Sequence, residues 1–317
     1  MRRITVLANL AVLATASLAI TGCGSLDSAI SSQALPPVAT TAPNDGTTPT
    51  TDAGSSSTTA PTGDTTPTSD TTEPATGAET TLAPLPSLAG PLNATVVATY
   101  PHDPTAYTEG LEFYDGSLVE ATGLYGASSR RIIDIASGSI NIQEALQPEH
   151  WGSGLSFTAD TGIQVTRNES VAILFDPIDL KEIGRFDYPA QGWGVCATDE
   201  IFYVGVGANT VSLRDPMSFL ETGTMTVTQD GTPLTQLGEM ECVGDQLWAV
   251  VWPSNTLVQF NRQGQVTATA DLTALVPEGL APEDTLSGIA YNERTGTFFI
   301  TGKRWPSLFE ISFAAAG

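Results

Sequence analysis

From about residue 94 onward the chain is written in short apolar runs, rich in β-branched and aromatic residues and broken by turn residues. SLVEAT is followed by RRIIDI, and QLWAVVW by TLVQFN and then VTATADL. Such runs read as strands, and helical periodicity is hard to find. The runs are organised by a recurring phrase: a variable residue, usually glycine, an aliphatic residue, a variable one, and often an aromatic. It opens at Glu109, Ser153, Trp193, Gly238 and Ser287, in steps of 44, 40, 45 and 49 residues.

Spacing of this size is the length of a four-stranded propeller blade. After the fifth phrase only TFFITGK and SLFEIS remain. The missing outer strand is expected from the other end, ATVVATY at 94–100, closing a ring. The expected fold is therefore all-β, a five-bladed β-propeller over residues 92–317. A β-sandwich also gives short strands and turns, but not one phrase at near-constant spacing.

The residues before it have a different character. Residues 1–22 carry two arginines, an uncharged apolar run and small residues leading to Cys23, which reads as a secretory signal. ITGC resembles a bacterial lipobox, which implies a lipid on Cys23 and a chain exported and anchored to the outer face of the bacterial cell membrane. An ordinary cleaved signal is the alternative. Residues 23–91 are rich in Thr, Ser, Pro, Ala and Gly with few large apolar side chains. Nothing there offsets the entropy of ordering, so a disordered tether is expected.

The formal net charge of −23, from 12 Lys+Arg against 35 Asp+Glu, repels nucleic acid and excludes it as a partner class. A monomer is the default. Besides Cys23 there are only Cys196 and Cys242. In an exported chain they fit a disulfide, and two buried thiols nearly as well, because spacing alone does not bring sulfurs together.

In a propeller the innermost strands face a central channel, so equivalent positions of the repeat form rings. The first position gives Glu109, Ser153, Trp193, Gly238 and Ser287. Arg167, Trp252 and Lys303 fall one strand and a turn after their phrase openings. A carboxyl beside indoles is poorly solvated as the anion, which raises its pKa toward the range where it both takes and gives a proton. An ammonium opposes that shift and stabilises a developing oxyanion. Together these suit reactions at an amide. The plain alternative is that channel carboxylates hold water and tryptophans pack blades. Glu239 and Glu241 share a strand face, but two carboxylates fall short of the six to eight or so oxygens that calcium takes. His102 and His150 show no ligand spacing, and no metal or cofactor is expected.

YTEGLEF with EATGLYGASS, GWGVC, GEMECVGDQLWAVVWPSNTLVQFN and LSGIAYNERTGTFFITGKRWPSLFEI closely resemble the plant and bacterial type of glutaminyl-peptide cyclotransferase, across residues 95–312. The resemblance implies a metal-independent five-bladed propeller that converts N-terminal glutamine of peptides and proteins to pyroglutamate and releases ammonia. In that family a second-blade glutamate shuttles the proton, and it aligns with Ser153, whose hydroxyl is no proton shuttle near neutral pH. Glu109 replaces a glutamine, and Gly238 and Ser287 replace asparagines. Trp193, Trp252 and Lys303 match, Tyr107 and Trp151 keep aromatic character, and Arg167 replaces a tryptophan.

Glu109 is thus expected to carry the proton and Lys303 to face the oxyanion. Tyr107, Trp151, Ser153, Trp193, Trp252 and Ser287 would line the substrate. Two further readings stand beside catalysis: a propeller that binds peptide N-termini or small amines without turnover, and an envelope scaffold whose channel Arg167 closes by pairing with Glu109.

Overall fold

The computed structural model describes residues 88–317, in strands connected by turns, with one 3-10 turn at Thr273–Leu275 and no α-helix among the described residues. β1 (Gly90–Pro101) leads into a meander of β2 (Thr108–Tyr114), β3 (Ser117–Thr122), β4 (Ser129–Ile133) and β5 (Ile140–Ala145). A second follows: β6 (Gly152–Phe157), β7 (Gly162–Thr166), β8 (Val171–Phe175) and β9 (Glu182–Asp187). The third is β10 (Gly194–Ala197), β11 (Phe202–Gly205), β12 (Thr210–Arg214) and β13 (Glu221–Thr226), after which β14 (Thr228–Gln229) and β15 (Thr232–Pro233) form a small hairpin. The fourth is β16 (Leu237–Val243), β17 (Gln246–Val251), β18 (Thr256–Asn261) and β19 (Val266–Asp271). β20 (Leu286–Asn292), β21 (Thr297–Gly302) and β22 (Ser307–Ala315) complete the chain. The signal sequence, Cys23 and nearly all of the expected tether lie outside the described residues.

The first three meanders are separate four-stranded sheets, and the last two are joined into one eight-stranded sheet through β1. β1 runs antiparallel to β22 from Leu92↔Ala315 to Pro101↔Ser307. The expected return strand is therefore present. Its first residues also pair in parallel with β19, Gly90 opposite Ala268 and Leu92 opposite Ala270, a second seam that strand patterning gives no sign of. Leu88 is only 8 % exposed and packs with Trp248 and Leu272, so the packed region starts a few residues before residue 92.

The first strand of each meander touches its neighbours in a closed cycle, β2 to β6, β6 to β10, β10 to β16, β16 to β20 and β20 back to β2. Five apolar clusters fill the gaps between adjacent meanders. Val119 and Leu155 meet in one, Val165 and Val195 in the next, Cys196 and Met240 in a third, Trp248 and Ile289 in a fourth, and Leu111 and Ala290 in the last. Inner strands are thus covered on both faces, which is why β7 and β21 are buried along their whole length, polar Gln164 and Thr301 included. The outer strand β5 is largely exposed and mixed in composition.

Cys196 and Cys242 are disulfide-bonded with Cα atoms 5.4 Å apart, linking β10 to β16 across 46 residues of chain. A loop of that length implies stabilisation of about 4 kcal/mol from the restricted unfolded chain. Replacing both cysteines by serine is expected to lower the urea midpoint by the equivalent of about 2–4 kcal/mol with a steeper slope, as the unfolded chain expands, read from equilibrium unfolding curves.

Candidate active site

The phrase openings and the ends of the second strands meet at one end of the ring because antiparallel hairpins return the chain to where they began. Arg167 N donates to Trp151 O at 2.9 Å, Trp252 N to Gln236 O at 2.9 Å, and Lys303 N to Thr285 O at 3.1 Å. Below this rim β2 is fixed by a buried network: Thr108 Oγ1 donates to Glu120 Oε1 at 2.7 Å, and His102 Nε2 lies 2.9 Å from the same oxygen. Glu109 therefore stands on a strand that has little freedom to shift.

Glu109 is buried and engaged from three sides. Trp151 Nε1 donates to its Oε1 at 3.1 Å, Lys303 Nζ lies 3.2 Å from Oε2, and Arg167 Nη1 lies 3.7 Å from Oε2. Gly123 makes the first contact possible, since a Cβ there would fall 2.9 Å from Glu109 Cγ and against the Trp151 indole. The Arg167 guanidinium stacks on the Trp193 ring at 3.9 Å, and Trp193 meets Trp252 edge-on at 5.7 Å. Glu109, Arg167, Trp193, Glu239, Trp252 and Lys303, with Gly238 and Ser287, line one cavity whose free space is about 10 Å³, room for about one water.

The structure brings Glu109, Trp193, Trp252, Lys303 and Ser287 to one cavity, and Ser153 and Tyr107 lie outside its lining. Ser153 is fully buried and its Oγ donates to Trp193 O at 2.6 Å. Ser287 Oγ donates to Thr108 O at 2.7 Å. Both hydroxyls tie one inner strand to the next. Tyr107 stands beside the cavity, edge-on to Trp151 at 5.7 Å and 5.3 Å from Lys303 Nζ, so it packs the walls of the pocket.

Glu239 is the residue that the repeat pattern leaves unassigned to this site. The second phrase position is Gly110, Gly154, Gly194 and Gly288 in four meanders and Glu239 in the other. Its side chain fills the space those glycines leave: a Cβ on Gly110 would lie 2.7 Å from Oε1, and one on Gly154 would lie 2.5 Å from Oε2. Glu241, two residues on, lines a different cavity at the far end of the ring, of about 320 Å³, with Glu112, Ser156 and Glu293. The two carboxylates of β16 thus open onto separate spaces, and no group of three metal-ligating side chains occurs among the described residues.

Burial, and then the carboxylates of Glu112 and Glu109, hold Glu239 well above the usual carboxylate range. Burial and Glu112 do the same for Glu241. Burial pushes Glu112 up to about 8, against the opposing Ser156 hydrogen bond and with Glu293 adding to it.

A carboxylate, an ammonium and two indoles thus meet in one cavity of an all-β fold. The chain belongs to the glutamine cyclotransferase family, whose sequence profile matches residues 71–313. It is 31% identical over 229 residues to the glutaminyl-peptide cyclotransferase of Arabidopsis thaliana, covering 70% of this chain and 71% of that one. The crystal structure of the glutaminyl cyclase of Myxococcus xanthus superposes with a TM-score of 0.69 at 26% identity, over 72% of this chain and 100% of that one.

A carboxyl whose pKa is higher in the folded than in the unfolded chain keeps its proton longer in the folded state. Its stabilising contribution is complete below about 4.5 and is lost as pH rises through the folded value, about 8 for Glu112. Between these limits stability falls by up to about 1.4 kcal/mol per pH unit for one such group. Glu112→Gln is expected to remove that slope, so that the variant gains stability relative to the parent as pH rises; urea unfolding at the two ends of this range checks it.

Proposed function

We propose that the chain is a five-bladed β-propeller enzyme that converts the N-terminal glutamine of peptides and proteins to pyroglutamate, releasing ammonia. Membership of the glutamine cyclotransferase family supports the reaction. The five-bladed reading is supported by the cyclic order of the inner strands and by the five apolar clusters between meanders. The observation that carries the site is a buried carboxylate–ammonium pair, Glu109 with Lys303 at 3.2 Å, in a cavity walled by Trp193 and Trp252.

The reaction is an intramolecular attack of the α-amine on the side-chain amide carbon. It requires a group that accepts the amine's proton, a cation near the oxygen as charge builds there, and walls that hold the side chain folded back on the amine. Glu109 is the acceptor, Lys303 the cation, and Trp193 and Trp252 the walls. Tyr107 and Trp151 hold Lys303 and Glu109 in place, and Ser153 and Ser287 hold the strands. Arg167 covers the mouth with its side chain 22% exposed, and it must swing aside to admit a glutamine.

From the sequence alone comes the proposal that the protein is exported and held at the outer face of the cell membrane by a lipid on Cys23. Peptide and protein N-termini outside the cell would then be its substrates. A reading without turnover has one observation in its favour: Arg167 sits on Trp193 and beside Glu109, leaving space for about one water. In that reading the channel would hold an amine without changing it, and calorimetry would find stoichiometric binding of peptide amines with no product.

Incubation of a glutamine-initiated peptide with the purified protein is expected to give the peptide lighter by one ammonia, measured by mass spectrometry. Absence of product above the uncatalysed background overturns the enzyme reading. Glu109→Gln is expected to lower kcat/KM by about 100-fold or more. Arg167→Ala is expected to lower KM for the same peptide by opening the mouth, read from initial rates.

A further inference from the structure

Glu239 is 2% exposed, lines the cavity that holds Glu109 and Lys303, and neither of its carboxyl oxygens has a hydrogen-bond partner. The backbone of Leu111 and Met240 offsets the effect of burial on it only in part. A buried polar group left unpaired costs on the order of 1–3 kcal/mol. A glycine stands at this position in the other four meanders, so the cost is not imposed by the fold. The carboxyl also reaches across the axis to Gly154, next to Ser153.

Resting on the cyclisation reading above, we propose that Glu239 is a catalytic residue: the acid that delivers a proton to the departing amide nitrogen, while Glu109 accepts one from the attacking amine. The two carboxyls are set apart by their surroundings. Glu109 faces Lys303, Arg167 and the Trp151 N–H, three donors that suit an anion. Glu239 has no hydrogen-bond partner on either oxygen and lies near the carboxylates of Glu109 and Glu112 of β2, which together with burial keeps a proton on it. Two carboxyls in one site with surroundings this different divide naturally into base and acid.

The steps balance. The α-amine lone pair forms the new bond to the side-chain amide carbon as the carbonyl π pair moves onto oxygen, opposite the Lys303 ammonium. The ring nitrogen gives its surplus proton to Glu109. The oxyanion collapses to the lactam carbonyl and the old C–N bond breaks toward nitrogen, which takes the Glu239 proton and leaves as ammonia. One proton has passed from Glu239 to Glu109, and it returns by way of solvent once the product has gone.

The test compares two substrates: a glutamine-initiated peptide, and the same peptide with the side-chain amide replaced by a trifluoroethyl ester, whose alkoxide leaves with far less need of a proton. Glu239→Gln is expected to lower kcat on the amide by about 100-fold or more, with KM little changed, and on the ester by less than about 10-fold. Retained ester turnover also reports that the variant is folded. Equal losses on both substrates with an unaltered melting curve, or no loss on either, overturn the proposal.

A second measurement needs no variant. The titratable groups around Glu239 are Glu109 and Glu112 from β2, Lys303 beyond β21, Arg167 beyond β7, and Glu241 two residues along its own strand but open to the other cavity. β6 offers no titratable side chain, β10 only the disulfide-bonded Cys196, and β20 only Tyr291 at its far end. In the parent protein the amide-to-ester rate ratio is expected to fall on the alkaline side as Glu239 ionises, and a flat ratio overturns the assignment. Turnover of neither substrate by the parent would remove the cyclisation reading itself, whereas turnover indifferent to Glu239→Gln removes only this one.

Discussion

The inner strands meet with almost no side chain between them. A Cβ on Gly194 would fall 2.7 Å from the Glu239 Cα, one on Gly154 2.6 Å from the Gly194 Cα, and one on Gly110 3.1 Å from the Gly154 Cα. This approach lets sheets of only four strands close into a ring and pushes every larger side chain to the two mouths or the gaps between sheets. It also leaves a narrow space on the axis, where a single carboxyl suffices to fill the centre. The polar groups of the mouth are therefore crowded above a floor that water hardly reaches, where charge interactions are stronger than in solvent.

Arg167 and Lys303 illustrate how burial separates two cations beside the same carboxylate. The Arg167 pairing with Glu109 is long, at 3.7 Å, and partly open to solvent, a kind of contact worth about 0–1 kcal/mol. Its stacking on Trp193 adds roughly 0.5–2 kcal/mol. The binding energy of a ligand can offset both. Lys303 is 5% exposed at its side chain and pairs at 3.2 Å, and removing either partner there leaves a buried charge uncompensated. Of the two, Arg167 is the one built to move.

Much of this architecture was legible in the chain. Short runs rich in β-branched and aromatic residues mark the strands, and the phrase that opens each meander marks the ring. The return of β1 to β22 could be inferred from a missing strand, but its parallel seam with β19 could not, because a strand's neighbours on its second edge leave no local pattern. At the site, Glu109, Trp193, Trp252 and Lys303 were readable from equivalent positions. The bonds of Ser153 and Ser287 were not, since their acceptors are carbonyls of adjacent sheets. Glu239 was passed over because the first position of the phrase, Gly238 in the fourth copy, was read as the one facing the channel. The clue was the one acidic residue at a position that is glycine in the other four copies, and it gains meaning only once the strands are seen to converge.

β1 holds β19 on one edge and β22 on the other. The first and last strands of the folded region are therefore neighbours, and the ring is fastened at the place where the chain enters it. With beginning and end side by side, joining them would ask for only a short linker, and the cut could be moved to an exposed turn between meanders. In such a circularly permuted chain every sheet would keep its partners, while the fastening would pass from a non-covalent seam to the backbone itself.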